Sequence, residues 1–114
     1  MKIKKIIAPL IIFILFMPIN LFAAEILQIK DSSTLIIGDQ NRNYTVKIAC
    51  LSVVSEEEKN VLKEIESKLP RHTKINLKPK GSKDGILISR IINISNGLDI
   101  GEYLIDQGLA SNSC

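Results

Sequence analysis

The sequence predicts a mainly β domain with two helices, built as a five-stranded Greek-key barrel. Three observations carry that expectation. Five short segments are rich in Ile, Val, Leu and Thr and bounded by polar turn residues. One long helical pattern follows the third of them, and a short helical pattern follows the fifth.

The first strand runs over Glu25 to Lys30, with Ile26 inward. Asp31-Ser32-Ser33 is turn chemistry, because short polar side chains bond their own backbone. Thr34 to Ile37 forms the second strand, and the polar stretch Gly38 to Asn43 reads as a loop that returns the chain antiparallel. Tyr44 to Leu51 alternates, with Tyr44, Val46, Ile48 and Cys50 on the inner face and Thr45, Lys47 and Ala49 outside. Ser55 is the expected N-cap of the long helix, with Glu58 completing a capping box. Val61, Leu62, Ile65 and Leu69 form its apolar face, and Pro70 ends it. Thr73 to Leu77 is the fourth strand, Lys78 to Gly85 a basic loop, and Ile86 to Ile94 the fifth strand. Asn96-Gly97 is a turn, Asp99 or Gly101 caps a short helix reaching Gln107, and Gly108 ends it. Three strands, a helix, two strands and a helix match a partly open OB-fold barrel whose helix closes the open end.

Residues 1–24 stand apart. Lys2, Lys4 and Lys5 precede an apolar run from Ile6 to Met17, and Ala23-Ala24 supplies small residues, which predicts a secretory signal peptide ahead of a domain over 25–114. The competing reading is an uncleaved anchor, the one membrane contact the sequence implies. The run is short for a span of about 20 residues, and Pro9 and Pro18 interrupt it. An exported protein ends in the periplasm or outside the cell. All 12 acidic residues lie beyond residue 24, together with 12 of the 15 basic ones, so the apparent basicity belongs to the signal. Net neutrality and only two remaining aromatics, Tyr44 and Tyr103, argue against a base-stacking nucleic-acid surface.

Cys50 and Cys114 make an even pair, which in an exported chain predicts a disulfide; one buried and one exposed thiol is the other reading. The closed loop of about 64 residues would contribute about 4 kcal/mol in the chain-entropy picture. His72 has no partner at metal-ligand spacing.

The chain resembles the staphylococcal nuclease-like (thermonuclease) family over about 26–111. The resemblance rests on Asn96-Gly97, Ile100-Gly101-Glu102-Tyr103-Leu104-Ile105 and Gln107-Gly108-Leu109-Ala110. The stretch from Val46 to Glu58 adds to it, as does Asp31-Ser32-Ser33-Thr34 against a "DGDT" pattern. It implies calcium-dependent cleavage of phosphodiesters in DNA or RNA. Two aspartates hold the ion, two arginines neutralise the phosphate and a glutamate orients water. In this sequence the aspartate positions read Ser33 and Ser52, the glutamate position Ser55 with Glu56 one step away, and the first arginine position Lys47. The second arginine position falls at Ile86 to Ile88, with Arg90 further along. Losing one such electrostatic donor costs about 3–4 kcal/mol in the transition state.

Three expectations follow. The leading one is an exported module without catalysis or cofactor, binding a protein or polyanion or serving structure. The second is a weak calcium-dependent nuclease assembled from Asp31, Lys47, Glu56 and Arg90. The third is a polyanion or nucleic-acid binder through Lys68, Arg71, Lys74, Lys78, Lys80 and Lys83.

Overall fold

A computed structural model describes residues 24–114. The described residues form seven strands and two α-helices: β1 (Ala24–Ile29), β2 (Thr34–Asp39), β3 (Arg42–Ile48), β4 (Leu51–Ser52), α1 (Glu58–Lys68), β5 (Lys74–Lys83), β6 (Ile86–Asn93), α2 (Ile100–Asp106) and β7 (Ser111–Asn112). Five of the strands close a barrel in the order β1-β2-β3-β6-β5. Every neighbouring pair is antiparallel except β3 and β6, which run parallel. This is the expected mainly β architecture with two helices and an OB-type strand order, closed rather than partly open. The export signal expected over 1–24 lies outside the described residues except for Ala24, which is buried at the start of β1 opposite Ile75.

The core follows from strand alternation. Ile26, Leu35, Ile37, Val46, Ile48, Ile75 and Ile91 point inward from the barrel wall. Val61, Ile65 and Leu69 of α1, and Ile100 and Leu104 of α2, join the same cluster. Gly101 brings α2 close to the barrel: a methyl there would lie 3.3 Å from Ile48 Cγ2.

Several local expectations are corrected. Gly38 to Asn43 is not a loop; β2 and β3 continue into it and are joined by Gln40 and Asn41, both left-handed, as a tight hairpin turn with matching strand twist requires. Lys78 to Gly85 is likewise mostly strand. β5 runs to Lys83, and only Asp84 and Gly85, with φ of 53° and 78°, make the turn. β5 carries an irregularity between Pro79 and Gly81. Proline, a bulge and exposed lysines are the features that keep a strand edge from recruiting another chain.

β3 stops at Ile48, so Cys50 is not an inward strand residue. Its φ of 59° turns the chain out of the barrel, and Leu51-Ser52 pairs with Ser111-Asn112 instead. Ser55 does not cap α1 through its side chain. It opens a 3-10 turn over Ser55–Glu57, and the α-helix begins only at Glu58 without a side-chain cap. The expected reciprocal bond to Glu58 is absent, and Glu58 Oε2 is buried without a partner among the described residues. The second helix behaves as expected: Asp99 Oδ1 accepts from the N–H groups of Gly101 and Glu102, and Gly108 is left-handed at its end.

Cys50 and Cys114 form a disulfide, with Cα atoms 5.1 Å apart. Ser113 N–H donates to Cys50 O at 3.0 Å. The bond, β4–β7 pairing and this contact together hold the C-terminal segment to the end of β3.

Candidate functional site

The outer wall formed by β3, β6 and β5 lies between the β1–β2 turn and the β5–β6 turn, where OB barrels present ligand-binding loops. Its residues are placed by register. Thr34 of β2 faces Lys47 of β3, Lys47 faces Ile88 of β6, and Ile86 faces Lys83 of β5. Val46, Ile48, Ser89 and Ile91 are buried inward, so alternation turns Lys47, Ile88 and Ile86 outward. Lys47, Lys83, Asp84, Ile86 and Ile88 line a shallow recess of about 220 Å³.

Ser33 sits beside this wall. Its carbonyl accepts from Ile48 N–H at 2.8 Å. Its own N–H and hydroxyl donate to Asp31 Oδ1 at 2.9 and 3.3 Å. Burial alone would push the Asp31 carboxyl up, but donors from Ser33 and Thr34 outweigh it and hold the group below the usual carboxylate range. The carboxylate is engaged in stabilising its own turn.

Ser33 and Lys47 are therefore close neighbours, whereas Ser52 is paired across from Ser111 in the β4–β7 ribbon. Ser55 and Glu56 are exposed in the 3-10 turn that follows. Arg90 is committed elsewhere. Its Nε donates to Asp99 Oδ2 at 2.7 Å and its second nitrogen lies 3.8 Å from Glu102. Asp99 thus caps α2 with one oxygen and ties it to β6 with the other. Among the described residues, no three His, Cys, Asp or Glu side chains come together as a metal-binding group.

The basic residues expected to act together are divided. Lys74 is ion-paired to Glu25 at 2.9 Å, with His72 3.5 Å from the same carboxylate. Lys68 lies over the Tyr103 ring, 5.1 Å from its centre. Arg71 lines an apolar groove with Glu66, Leu69 and Ile29. Lys78 stands opposite Arg90, and Lys80 joins Arg90, Asp99 and Glu102 around a second recess beside Cys50. Lys83 lines the same recess as Lys47. That pairing was hidden in the sequence because Lys83 reads as part of a loop. The Asp84-Gly85 dipeptide, a hairpin turn signal, was the clue that puts Lys83 on a strand.

No protein-family model and no curated protein matches this chain.

Proposed function

We propose that the chain is an exported, staphylococcal-nuclease-like barrel that does not cleave nucleic acid and serves as a binding module. The observation that carries this reading is the commitment of Asp31 and Arg90, two of the four groups from which a displaced active site would be assembled. Asp31 accepts through Oδ1 from the N–H and hydroxyl of Ser33 in its own turn, and Arg90 is held by Asp99 and Glu102. A divalent cation needs several free hard oxygens, and a phosphoryl transition state needs a free guanidinium or its equivalent. The hydroxyls of Ser33, Ser52 and Ser55 supply neither charge. Lys47 and Lys83 remain on the outer wall without an ion pair among the described residues, which suits binding of an anion.

Support for the family reading comes from the OB-type barrel order, the Asp99 cap and the Gln107-Gly108 helix end. The disulfide is compatible with an oxidising compartment. Residues 1–24 are read as the export signal, delivering the domain to the periplasm or medium. N-terminal sequencing of the exported protein should find a start near Ala24.

The deciding experiment incubates purified protein with supercoiled DNA and single-stranded RNA in calcium. No cleavage above that of a mock preparation is expected. Cleavage that disappears in Glu56→Ala and Lys47→Ala would overturn the reading in favour of a weak calcium-dependent nuclease.

A further inference from the structure

We infer that the outer wall of β3, β6 and β5 binds an extended acidic polypeptide segment. Two carboxylates of the segment pair with Lys47 and Lys83, and an aliphatic side chain between them rests on Ile86 and Ile88. This rests on the binding-module reading above and names the partner chemistry of that same wall.

Lys47 and Lys83 flank β6 from opposite sides, and their register partners Ile88 and Ile86 are one two-residue step apart. Two inter-strand spacings across and one such step along put the two lysine Cα atoms about 12 Å apart. In an extended peptide, residues i and i+4 lie on one face about 13 Å apart, with i+2 between them on that face. An acidic residue at i and i+4 and an aliphatic one at i+2 therefore match the cation, isoleucine pair, cation order of the wall.

The lining decides against the other anions. Stacking of bases needs aromatic faces, whereas Tyr44 and Tyr103 both pack against the core and the recess holds none. A lipid surface needs apolar side chains that protrude. Ile86 and Ile88 are partly buried and line a recess, and the strongly exposed large apolar residues, Val54 and Ile94, lie elsewhere. A recess of about 220 Å³ lies below the roughly 300–1,000 Å³ of typical small-molecule sites. Asp84 at its edge disfavours a ligand carrying a continuous run of negative charge and tolerates one with separated carboxylates.

The test measures fluorescence anisotropy of a labelled Glu-Ser-Val-Ser-Glu segment within a neutral carrier peptide, using the full-length expressed protein. The comparators are the Gln-Ser-Val-Ser-Gln version, oligo-dT and phosphatidylglycerol vesicles. Saturable binding of the glutamate peptide is expected, weakened about tenfold or more by glutamine replacement and by the Lys47→Gln/Lys83→Gln pair. Lys63→Gln on the exposed face of α1 should leave it unchanged. Thermal unfolding of each variant separates loss of binding from loss of fold. Equal binding of the two peptides, binding unaffected by the paired substitution, or no binding overturns the inference. Tighter binding of oligo-dT or vesicles through the same lysines also overturns it while leaving the binding-module reading standing. Calcium-dependent cleavage abolished by Lys47→Gln would remove that reading itself.

Discussion

Removing the disulfide should destabilise the domain by an amount that the loop length sets. The bond closes a loop with a sequence separation of 64 residues. The chain-entropy relation gives about 4 kcal/mol at 25 °C for a loop of that size, a large part of the 5–15 kcal/mol typical of a whole domain. The native state adds a local effect, because Cys50 is held at φ 59°, a left-handed backbone that costs a side-chain-bearing residue roughly 1 kcal/mol. The perturbation is Cys50→Ser/Cys114→Ser, followed by urea denaturation monitored by circular dichroism. With a slope of about 1–2 kcal/mol/M for a chain of this size, the midpoint should fall by roughly 2–4 M. A second pair, Cys50→Gly/Cys114→Ser, should recover about 1 kcal/mol of the loss, because glycine adopts the left-handed backbone freely. A midpoint drop below about 0.5 M with unchanged slope would refute the claim that loop constraint dominates. Equal stability of the glycine and serine versions would refute the backbone argument separately.

Asp99→Ala removes the cap of α2 and the Arg90 pair together. With Arg90 partly exposed, it should cost about 2 kcal/mol in thermal denaturation, and a loss under about 0.5 kcal/mol would show that the latch is not stabilising. Glu25 is held below its ordinary value of 4.5, chiefly by the hydrogen bond from Lys74; burial opposes it as the next-largest effect, and His72 adds a smaller lowering. A depressed carboxylate contributes stability above its unfolded pKa that fades as pH falls through the folded value. Wild type and Lys74→Met should therefore differ in stability at neutral pH and converge in acid, with the Glu25 carboxyl resonance of the variant titrating nearer its ordinary value; identical NMR titrations would refute the pairing. Gln40→Asn, at a left-handed hairpin position with φ 50°, should stabilise by about 0.5 kcal/mol, and a destabilised variant would contradict the turn geometry.

The parts of the fold legible in the sequence are those fixed by neighbours in the chain. Asp99 caps the nearby N–H groups of Gly101 and Glu102, and Gly108 terminates the same helix, so both are readable from a few residues. The order of β-branched segments likewise shows the five barrel strands, but not the short Leu51–Ser52 and Ser111–Asn112 pair. Errors arise where a distant partner decides. The alternation through Ala49 and Cys50 continues the pattern of β3, yet the chain turns out of the barrel there because Cys50 is bonded to Cys114 and Leu51-Ser52 pairs with Ser111-Asn112. Lys78 to Lys83 is hydrophilic enough to read as a loop, yet β6 supplies hydrogen-bonding partners along its length. Ser55 and Glu58 have the composition of a capping box, but a 3-10 turn occupies Ser55–Glu57 and shifts the helix start past the serine. The candidate site inherits the same limit. Lys47 and Lys83 are 36 positions apart in the chain, and only the register of three strands brings them to one wall.

The parallel β3–β6 seam carries a consequence for how the molecule reaches its native state. The β1–β2–β3 meander and the β5–β6 hairpin are local and need only short turns to form. Joining them at β3–β6 and at β1–β5 requires contacts across α1, at a larger cost in chain closure. Folding of the reduced chain should therefore be limited by the meeting of two preformed halves, in the slower range typical of non-local β topologies. Cys50 lies two residues beyond the end of β3 and Cys114 follows the last strand, so the disulfide ties the β3 side of this seam to the segment that follows β6 and α2.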